Sequence, residues 1–391
     1  MSFAIDHNYV IQTLADLVRI NSINPLLSAD GKGEAEIGAY MAAALETLGL
    51  EVTVYEIEAG RVNTVGVLKG TGNGRSLLLN AHMDTVGVEG MTGDPFGAEI
   101  RDGRLYGRGS QDMKGSLAAM LGATKALVDG GVALAGDLLV TAVADEEYIS
   151  IGTEDLVKRV TADAAIVTEP SDLTLCRAHR GFIWYDVETF GRAAHGSRYK
   201  EGIDANMRMG RFLAKLDKLE QELRQRPAHP LAGTPSLHAS RIRGGKEISI
   251  YADHCLLQIE RRTAPGETET QATAELQAIV DQLAADDPTF RATVKPTFER
   301  APYEIGDDAR IAQTLEQAIV KRLGHKPIHT GQTFWTDAAI LGAAGIETVL
   351  IGPIGDGLHS AEEWVDVQSV VDLAVILAEA AVAYCQYKEK E

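Results

Sequence analysis

The chain has 391 residues, of which 45% are hydrophobic and 24% are charged, and its formal net charge is −19. This length and composition are typical of a globular protein with two domains and a sizeable core. The acidic balance argues against nucleic acid or an anionic membrane as a partner, because both bind faces that are rich in lysine and arginine.

The sequence also bears on cellular location. Residues 1–7 contain no basic segment followed by an apolar stretch, so we expect no signal peptide. We find no apolar run that is long enough to span a bilayer, and we expect no membrane partner. Cys176, Cys255 and Cys385 are too few and too widely spaced for a disulfide framework or a CxxC metal site. Buried, reduced cysteines in a cytoplasmic protein are therefore expected.

The first part of the chain alternates between helical and strand patterns. Up to residue 170 the predicted elements are two helices, three strands, and then helix, strand, helix and strand, at 6–19, 33–48, 51–57, 63–68, 76–81, 113–128, 137–143, 153–160 and 164–167. The glycine cluster at 70–74 lacks the Lys-Ser/Thr of a phosphate-binding loop, and it predicts a hairpin turn between two of the strands. Strands alternating with helices indicate an α/β domain with a mostly parallel sheet.

The pattern changes near residue 180. The next elements are strand, helix, two strands, helix and strand, at 182–190, 205–224, 236–242, 248–260, 267–284 and 290–298. This βαββαβ order is that of a ferredoxin-like unit. The α/β pattern then returns, with a helix at 309–323, a strand at 347–351 and a helix at 367–386. We therefore predict a larger α/β domain formed by 1–179 and 300–391, with a ferredoxin-like domain inserted at 180–299.

Two adjacent glutamates, Glu146 and Glu147, follow the apolar run at 138–144. Neighbouring carboxylates at the end of a buried strand can reach different atoms of one site. One could hold a metal ion while the other moves a proton. For a Glu-Glu pair taken alone, a solvated loop is the simpler interpretation.

Other side chains with metal-binding or proton-transfer chemistry also lie near strand ends. His82 follows the strand at 76–81, and if the strand persists Asp84, two residues later, could accept a hydrogen bond from its imidazole. Asp112 lies in a glycine-rich segment before a helix, where an N-cap is the simpler interpretation. Glu169 and His359 follow two further strands, and either could be a solvated loop residue.

The coincidence of these positions favours a shared site. In a parallel sheet the C-terminal ends of the strands lie along one edge, where ligands bind. Two histidines and several carboxylates can hold two divalent ions, and ligands without thiolate suit zinc, cobalt or manganese. A shared carboxylate could bridge the two ions.

These motifs, in this order, resemble those of the M20 metallopeptidases, a family that includes acetylornithine deacetylase, succinyl-diaminopimelate desuccinylase and carboxypeptidase G2. The resemblance implies two divalent metal ions, zinc before cobalt or manganese, held by His82, Asp112, Glu147, Glu169 and His359. It implies that Asp112 bridges both ions, that Glu146 is the general base and that Asp84 orients His82. Glutamate at position 169, where related aminopeptidases usually have aspartate, favours deacylases and carboxypeptidases.

The resemblance extends to the inserted domain, which is similar to the family's lid and dimerisation domain. The segment Gly191-Arg192-Ala193-Ala194-His195-Gly196-Ser197 matches the family's GxxAHxS-like motif and implies that His195 stabilises an oxyanion, in its own subunit or across a dimer. Arg262 matches an arginine that binds a substrate carboxylate, although a strand-end arginine in a surface ion pair is an equally simple interpretation. Ser249 and Ala252 stand where relatives often have Asn and Pro, which affects the prediction of specificity.

The sequence therefore predicts a dimetal catalytic domain with an inserted lid and dimerisation domain. We expect a homodimeric, metal-dependent amidohydrolase that cleaves the amide bond of an N-acyl-L-amino acid, with Glu146 as the base for a metal-activated water. A metallocarboxypeptidase or dipeptidase of the same family is the nearest alternative. A non-catalytic binding protein on the same fold is a more distant one.

Overall fold

A computed structural model of the chain describes residues 4–386. Residues 1–3, which belong to the segment 1–7 considered above for a signal peptide, lie outside the described residues. The α-helices are α1 (His7–Arg19), α2 (Ala35–Thr47), α3 (Gly115–Asp129), α4 (Ile151–Arg159), α5 (Ala205–Gln225), α6 (Glu269–Asp286), α7 (Arg310–Leu323), α8 (Ala338–Ala343) and α9 (Val367–Cys385). The β-strands are β1 (Glu51–Glu58), β2 (Arg61–Leu68), β3 (Leu77–His82), β4 (Glu99–Arg101), β5 (Arg104–Tyr106), β6 (Leu138–Val143), β7 (Ala164–Val167), β8 (Leu175–His179), β9 (Gly181–Phe190), β10 (Ser236–Gly244), β11 (His254–Thr263), β12 (Ala292–Arg300), β13 (Tyr303–Glu304), β14 (His329–Gln332), β15 (Glu347–Leu350), β16 (Gly355–Asp356) and β17 (Trp364–Asp366).

The chain forms two compact units. The first contains Met1–Arg177, Ile305–Thr330 and Thr336–Glu391, and the second contains Ala178–Glu304 with Gly331–Trp335. The sequence-based boundaries placed the insert at 180–299 and assigned 331–335 to the larger domain. The short segment that returns to the second unit has no pattern of its own from which its location could be predicted.

The first unit is built on a sheet with the strand order β1-β2-β6-β3-β7-β15-β8. Its central strands β6, β3, β7 and β15 run parallel, and antiparallel pairs flank them. Strands β3 and β6 are buried along their whole length. That burial explains why both strands have apolar runs rather than an alternating pattern, since helices cover both faces of a parallel sheet.

The glycine cluster at 70–74 is not a hairpin turn, and this prediction was wrong. Strand β6 lies between β2 and β3, so the two strands that the cluster connects do not pair. The glycines instead allow close packing of main chains. A Cβ at Gly70 would lie 2.4 Å from the main chain of Gly136, and one at Gly74 would lie 2.1 Å from the carbonyl oxygen of Cys385.

Helix α9 is apolar and 19 residues long, which is enough by length and composition to cross a membrane. The expectation that no run would reach this length was therefore wrong. However, 61% of its most apolar window is buried inside the structure. It packs in the main core together with α3, and that setting explains its composition.

The second unit contains a four-stranded antiparallel sheet in the order β10-β11-β9-β12. With helices α5 and α6, the chain order is βαββαβ, as in a ferredoxin-like fold. Alternate residues of β9 and β11 are buried against the helices, which is the period-two pattern that predicted these strands. The strand predicted at 248–260 begins only at His254, because the chain before it forms an irregular connection.

All three cysteines are buried and free, as the sequence indicated.

Candidate functional site

The candidate site lies at one edge of the large sheet in the first unit. Strands β3, β6 and β7 are parallel and in register, with His82 paired to Val143 and Asn80 paired to Val167. His82 therefore ends β3 at the same edge at which the glutamate pair follows β6. Glu169 follows β7 at this edge too, and the topology thus brings together groups that are far apart in sequence.

A first cluster forms around the buried side chain of His82. Its Nε2 lies 3.0 Å from Oδ1 of Asp112 and 3.7 Å from Oε1 of Glu169. Glu169 is only 4% exposed, and its Oε1 has no hydrogen-bond partner in the described part of the chain. A buried carboxylate oxygen without a partner is costly unless a cation or a donor satisfies it.

A second cluster forms around His359, which has a left-handed backbone conformation with φ of 57°. The Nε2 of this histidine lies 3.1 Å from Oε2 of Glu147 and 3.4 Å from Oδ2 of Asp112. Asp112 thus contributes one carboxylate oxygen to each cluster. It does not cap a helix, because α3 begins at Gly115 after a π-helical turn, Ser110–Lys114, within which Asp112 has a non-helical backbone.

These two clusters fit a pair of divalent ions. In each cluster the three potential ligand atoms lie within 4.8 Å of one another. The donor set contains imidazole nitrogen and carboxylate oxygen without thiolate, which suits zinc, cobalt or manganese. The unpartnered oxygen of Glu169 is where a cation would be expected.

The two adjacent glutamates differ in their surroundings. Glu147 contacts His359, and its side chain is only 6% exposed. Glu146 is half-buried, and its carboxylate has no hydrogen bond or ion pair among residues 4–386. Their spacing alone could not distinguish them, but the structure gives one a metal-ligand environment and leaves the other free to exchange a proton.

Asp84 holds the main chain of this pair. Its two carboxylate oxygens accept hydrogen bonds from the backbone N–H groups of Glu146, at 3.1 Å, and Glu147, at 3.2 Å. The imidazole of His82 does contact Asp84, but through the main chain. Its Nδ1 lies 2.9 Å from the Asp84 carbonyl oxygen and 3.7 Å from the nearest carboxylate oxygen. The Asp84 carboxylate is thus hydrogen-bonded to the main chain of the two glutamates rather than to the imidazole of His82.

A buried polar network behind Asp84 was not predicted from the sequence. Asn24 donates to Asp84 at 2.8 Å and to Asp145 at 2.9 Å. Asp145 also accepts from Arg61 at 2.8 Å, and Arg61 forms a two-pronged pair with Glu34. Asp145 was visible beside the glutamates, yet its partners come from distant segments that carry no motif.

Burial and charge together shift the acidities of the site. Burial, with the nearby Glu169 charge, raises the pKa of Glu146 well above its ordinary value. Burial raises the pKa of Glu169 likewise, and that of Glu147 to about 7. Hydrogen bonds to Asp112 and Glu147 raise the pKa of His359 to about 10. Bound cations would favour the ionised carboxylates in this crowded acidic environment.

These shifts predict how the stability of the metal-free protein depends on pH. Glu147 titrates at about 7 in the folded chain against an ordinary pKa of 4.5, and His359 at about 10 against 6.5. In both windows the native state binds more protons than the unfolded state, so stability is lost as the pH rises. The pKa of Asp112 is lowered, so this group makes the protein less stable as the pH falls, but only below its ordinary pKa of 3.8.

We expect the melting temperature of the chelator-treated protein to fall, on the order of 5 °C, between about pH 6 and about pH 8.5. With zinc present the slope should reverse, because metal binding requires deprotonated ligands. Differential scanning calorimetry with and without zinc would check this. Parallel slopes in the two samples would contradict the predicted coupling.

The other two predicted site residues, His195 and Arg262, belong to the second unit. His195 is exposed, and its Nδ1 lies 2.8 Å from the hydroxyl oxygen of Ser197. Arg262 pairs with Glu260 and lies over the Phe182 ring, 5.2 Å from its centroid. Arg262 therefore forms the ion pair that the alternative interpretation predicted. Its role in substrate binding stays a prediction.

The chain is similar to known proteins over most of its length. The model of peptidase family M20/M25/M40 matches residues 78–383. The chain is 30% identical to the N-formyl-4-amino-5-aminomethyl-2-methylpyrimidine deformylase of Bacillus subtilis (strain 168), an alignment that covers 91% of this chain and 90% of that protein. It is also 30% identical to the acetylornithine deacetylase of Myxococcus xanthus, with 88% and 91% covered.

Solved structures share the fold. Aminopeptidase PepT from Bacillus cereus ATCC 10987 superposes with a TM-score of 0.80 at 21% identity, covering 97% of this chain and 99% of that one. The YXEP protein of Bacillus subtilis, described as a dinuclear metal binding peptidase, gives a TM-score of 0.73 at 16% identity, with 98% and 99% covered. At these identities the likeness extends to the fold alone.

Proposed function

The chain belongs to peptidase family M20/M25/M40, whose members hydrolyse amide bonds, and we propose that it is a dimetal amidohydrolase that deacylates an N-acyl-L-amino acid. The observation that carries this proposal is the carboxylate of Asp112, which gives one oxygen to each of two clusters of metal-binding side chains. The free carboxylate of Glu146 beside them supplies a base.

His82 and Glu169 would hold one ion, Glu147 and His359 the other, and Asp112 both. When bound, such ions lower the pKa of water toward neutrality and polarise a carbonyl oxygen; we propose zinc, with cobalt or manganese as alternatives.

The proposed reaction depends on one proton. Glu146 takes it from the attacking water and later gives it to the leaving amine. Burial raises the pKa of this carboxyl group, which makes its ionised form a stronger base than an exposed glutamate. The hydrogen bond from its backbone N–H to Asp84 fixes the position of the residue at the strand end. His195 is proposed to stabilise the oxyanion, within its own subunit or across a dimer.

We propose that Arg262 binds the α-carboxylate of the substrate, because a guanidinium matches a carboxylate with two parallel hydrogen bonds. Glu260 occupies it in this structure, so substrate binding would have to displace that acid. N-acyl amino acids and dipeptides both carry such a carboxylate. The carboxypeptidase and dipeptidase alternatives therefore share this element, and it does not separate them from a deacylase.

A second candidate is hydrolysis of a formamide on an aromatic heterocycle. Its support is the similarity to the pyrimidine deformylase, together with a cluster of rings on the second unit. Phe182, Trp184 and Phe298 lie with their ring centroids 5.2–5.9 Å apart, on the sheet face that α5 and α6 do not cover. Half-exposed aromatic faces can stack on a flat heterocycle.

A substrate panel tests these assignments. The zinc-, cobalt- and manganese-loaded protein would be assayed on N-acetylornithine, other N-acetyl amino acids, N-succinyl-diaminopimelate, dipeptides and the N-formyl aminopyrimidine. Amides of the N-acetyl amino acids, which lack the carboxylate, are the matched controls for Arg262. We expect turnover of an N-acetyl amino acid and little of its amide. Turnover of dipeptides or of the pyrimidine alone would replace the deacylase assignment.

We further propose a cytoplasmic homodimer formed through the second unit. Strand β10 lies at the end of its sheet and, within residues 4–386, pairs with β11 alone, so one edge is available for pairing. Near this edge Ile242 is 54% exposed, Ile248 is fully exposed and Ile250 is 43% exposed. Exposed strand edges with apolar side chains are typical of association surfaces.

Light scattering during size-exclusion chromatography should give the mass of two chains. Replacing Ile242 with lysine should lower that mass to one chain while leaving the fold, measured by circular dichroism, unchanged. A wild-type protein that elutes with the mass of one chain would contradict the proposed dimer.

A further inference from the structure

A buried acid outside both metal-binding clusters contacts the segment that carries Asp112. Glu363 is 1% exposed and immediately precedes β17. Its Oε1 accepts hydrogen bonds from the backbone N–H groups of Gln111, at 3.0 Å, and Asp112, at 3.1 Å. Its Oε2 accepts from the backbone N–H of Gly109 at 3.0 Å and from Arg108 at 2.6 Å. Both oxygens are therefore fully used.

Arg108 connects this acid to the segment of the second histidine. The guanidinium is 3% exposed, and besides Glu363 it donates to the carbonyl oxygen of Ser360 at 3.0 Å and that of Gly87 at 3.0 Å. Ser360 directly follows His359. The pair of Arg108 and Glu363 thus connects the main chain at Asp112 with the main chain next to His359.

The local backbone explains why a carboxylate is used here. Asp112 has φ −117° and ψ 88°, and the N–H groups of Gly109, Gln111 and Asp112 lie before α3, where no preceding helical carbonyl can accept from them. Glu363 satisfies all three at once. A buried ion pair is weak evidence for stability, because apolar residues of similar volume often stabilise a fold as well or better. The pair instead acts on direction, because its hydrogen bonds to the main chain constrain where the Asp112 carboxylate points.

We propose that Glu363, held by Arg108, is a positioning residue that orients Asp112 between His82 and His359. This inference rests on the proposed dimetal function. Outer residues that fix a ligand's orientation contribute to metal affinity although they do not touch the metal. Glu363 belongs to this class, because it reaches Asp112 only through the backbone N–H.

The test compares Glu363→Gln with Glu362→Gln, which removes the same charge from an exposed neighbour. Zinc affinity would be measured by competition with a chromophoric chelator, and the visible absorption of the cobalt-loaded proteins would report ligand geometry. We expect Glu363→Gln to bind zinc about 10–100-fold more weakly, with an altered cobalt spectrum. Glu362→Gln should stay within about twofold of the unchanged protein.

A lower melting temperature with unchanged zinc affinity and cobalt spectrum would show a merely structural role and overturn the inference. If Glu363→Gln does not fold, Arg108→Lys replaces it, since lysine keeps the charge but cannot reach Glu363, Gly87 and Ser360 together. Its zinc affinity should fall about tenfold, and an unchanged value would overturn the inference. An unsubstituted protein with less than one ion per chain would instead overturn the dimetal function itself.

Discussion

Glu146→Gln should lower kcat by about 10²–10⁴-fold while both metal ions stay bound. The substitution keeps the size of the side chain but removes its ability to accept a proton. Because the Glu146 carboxylate contacts none of the metal-binding side chains through an ion pair, its loss should leave their arrangement intact. KM should change little, since the group acts on the proton and not on substrate binding. Steady-state kinetics and metal analysis of the same preparation provide the measurement.

The neighbouring Glu147→Gln is the matched comparison. It makes the same chemical change one residue later, where the carboxylate lies 3.1 Å from His359. This variant should lose a metal ion, whereas Glu146→Gln should lose only the proton acceptor. If Glu146→Gln turned over substrate at the normal rate, or if it were the variant that lost metal, the roles of the two glutamates would be misassigned.

Asp112→Asn should abolish the dimetal centre. Asparagine has the same shape, but it lacks the charge and replaces one oxygen with an NH₂ group, which cannot ligate a cation. Since each oxygen of Asp112 now lies in a different cluster, at 3.0 Å from His82 and 3.4 Å from His359, the substitution affects both. We expect at most one bound ion and a fall in kcat/KM on the order of a thousandfold, equivalent to ~4 kcal/mol of transition-state stabilisation.

Asp102→Asn provides the control for this variant. Asp102 is an exposed turn residue with φ of 50°, a conformation that asparagine also adopts readily. Its metal content and kinetics should match those of the unsubstituted protein. Two tightly bound ions in Asp112→Asn, measured by inductively coupled plasma mass spectrometry, would exclude Asp112 as the shared ligand.

The fold was largely predictable because its main signals are local. The continuous apolar run of β6 predicts a strand that is buried on both faces, and the alternating pattern of β9 predicts a strand that is buried on one face. The burial of each strand agrees with its pattern. What failed was pairing. The chain between β2 and β3 has the glycines of a turn, yet β6 inserts between these strands from far along the chain. The three-residue strands β4 and β5, which belong to a third sheet with the order β16-β17-β5-β4, were also missed, because three residues give no periodicity.

The members of the candidate site could be predicted because histidine, aspartate and glutamate are recognisable in the sequence where they follow predicted strands. The residues that hold them in place could not be predicted. Glu363, Asn24 and Arg61 function through burial and through main-chain hydrogen bonds, and neither leaves a mark in composition or spacing. Asp84 illustrates the difference. Its nearness to His82 followed from the i, i+2 spacing, whereas the use of its carboxylate by two backbone N–H groups required the fold.

The most direct test of the dimetal account is anomalous X-ray diffraction from a crystal of the zinc-loaded protein, with data on both sides of the zinc absorption edge. Two zinc peaks are expected in the first unit, one among His82, Asp112 and Glu169 and one among Asp112, Glu147 and His359. Peaks absent from this edge of the sheet, or two ions without Asp112 between them, would contradict it.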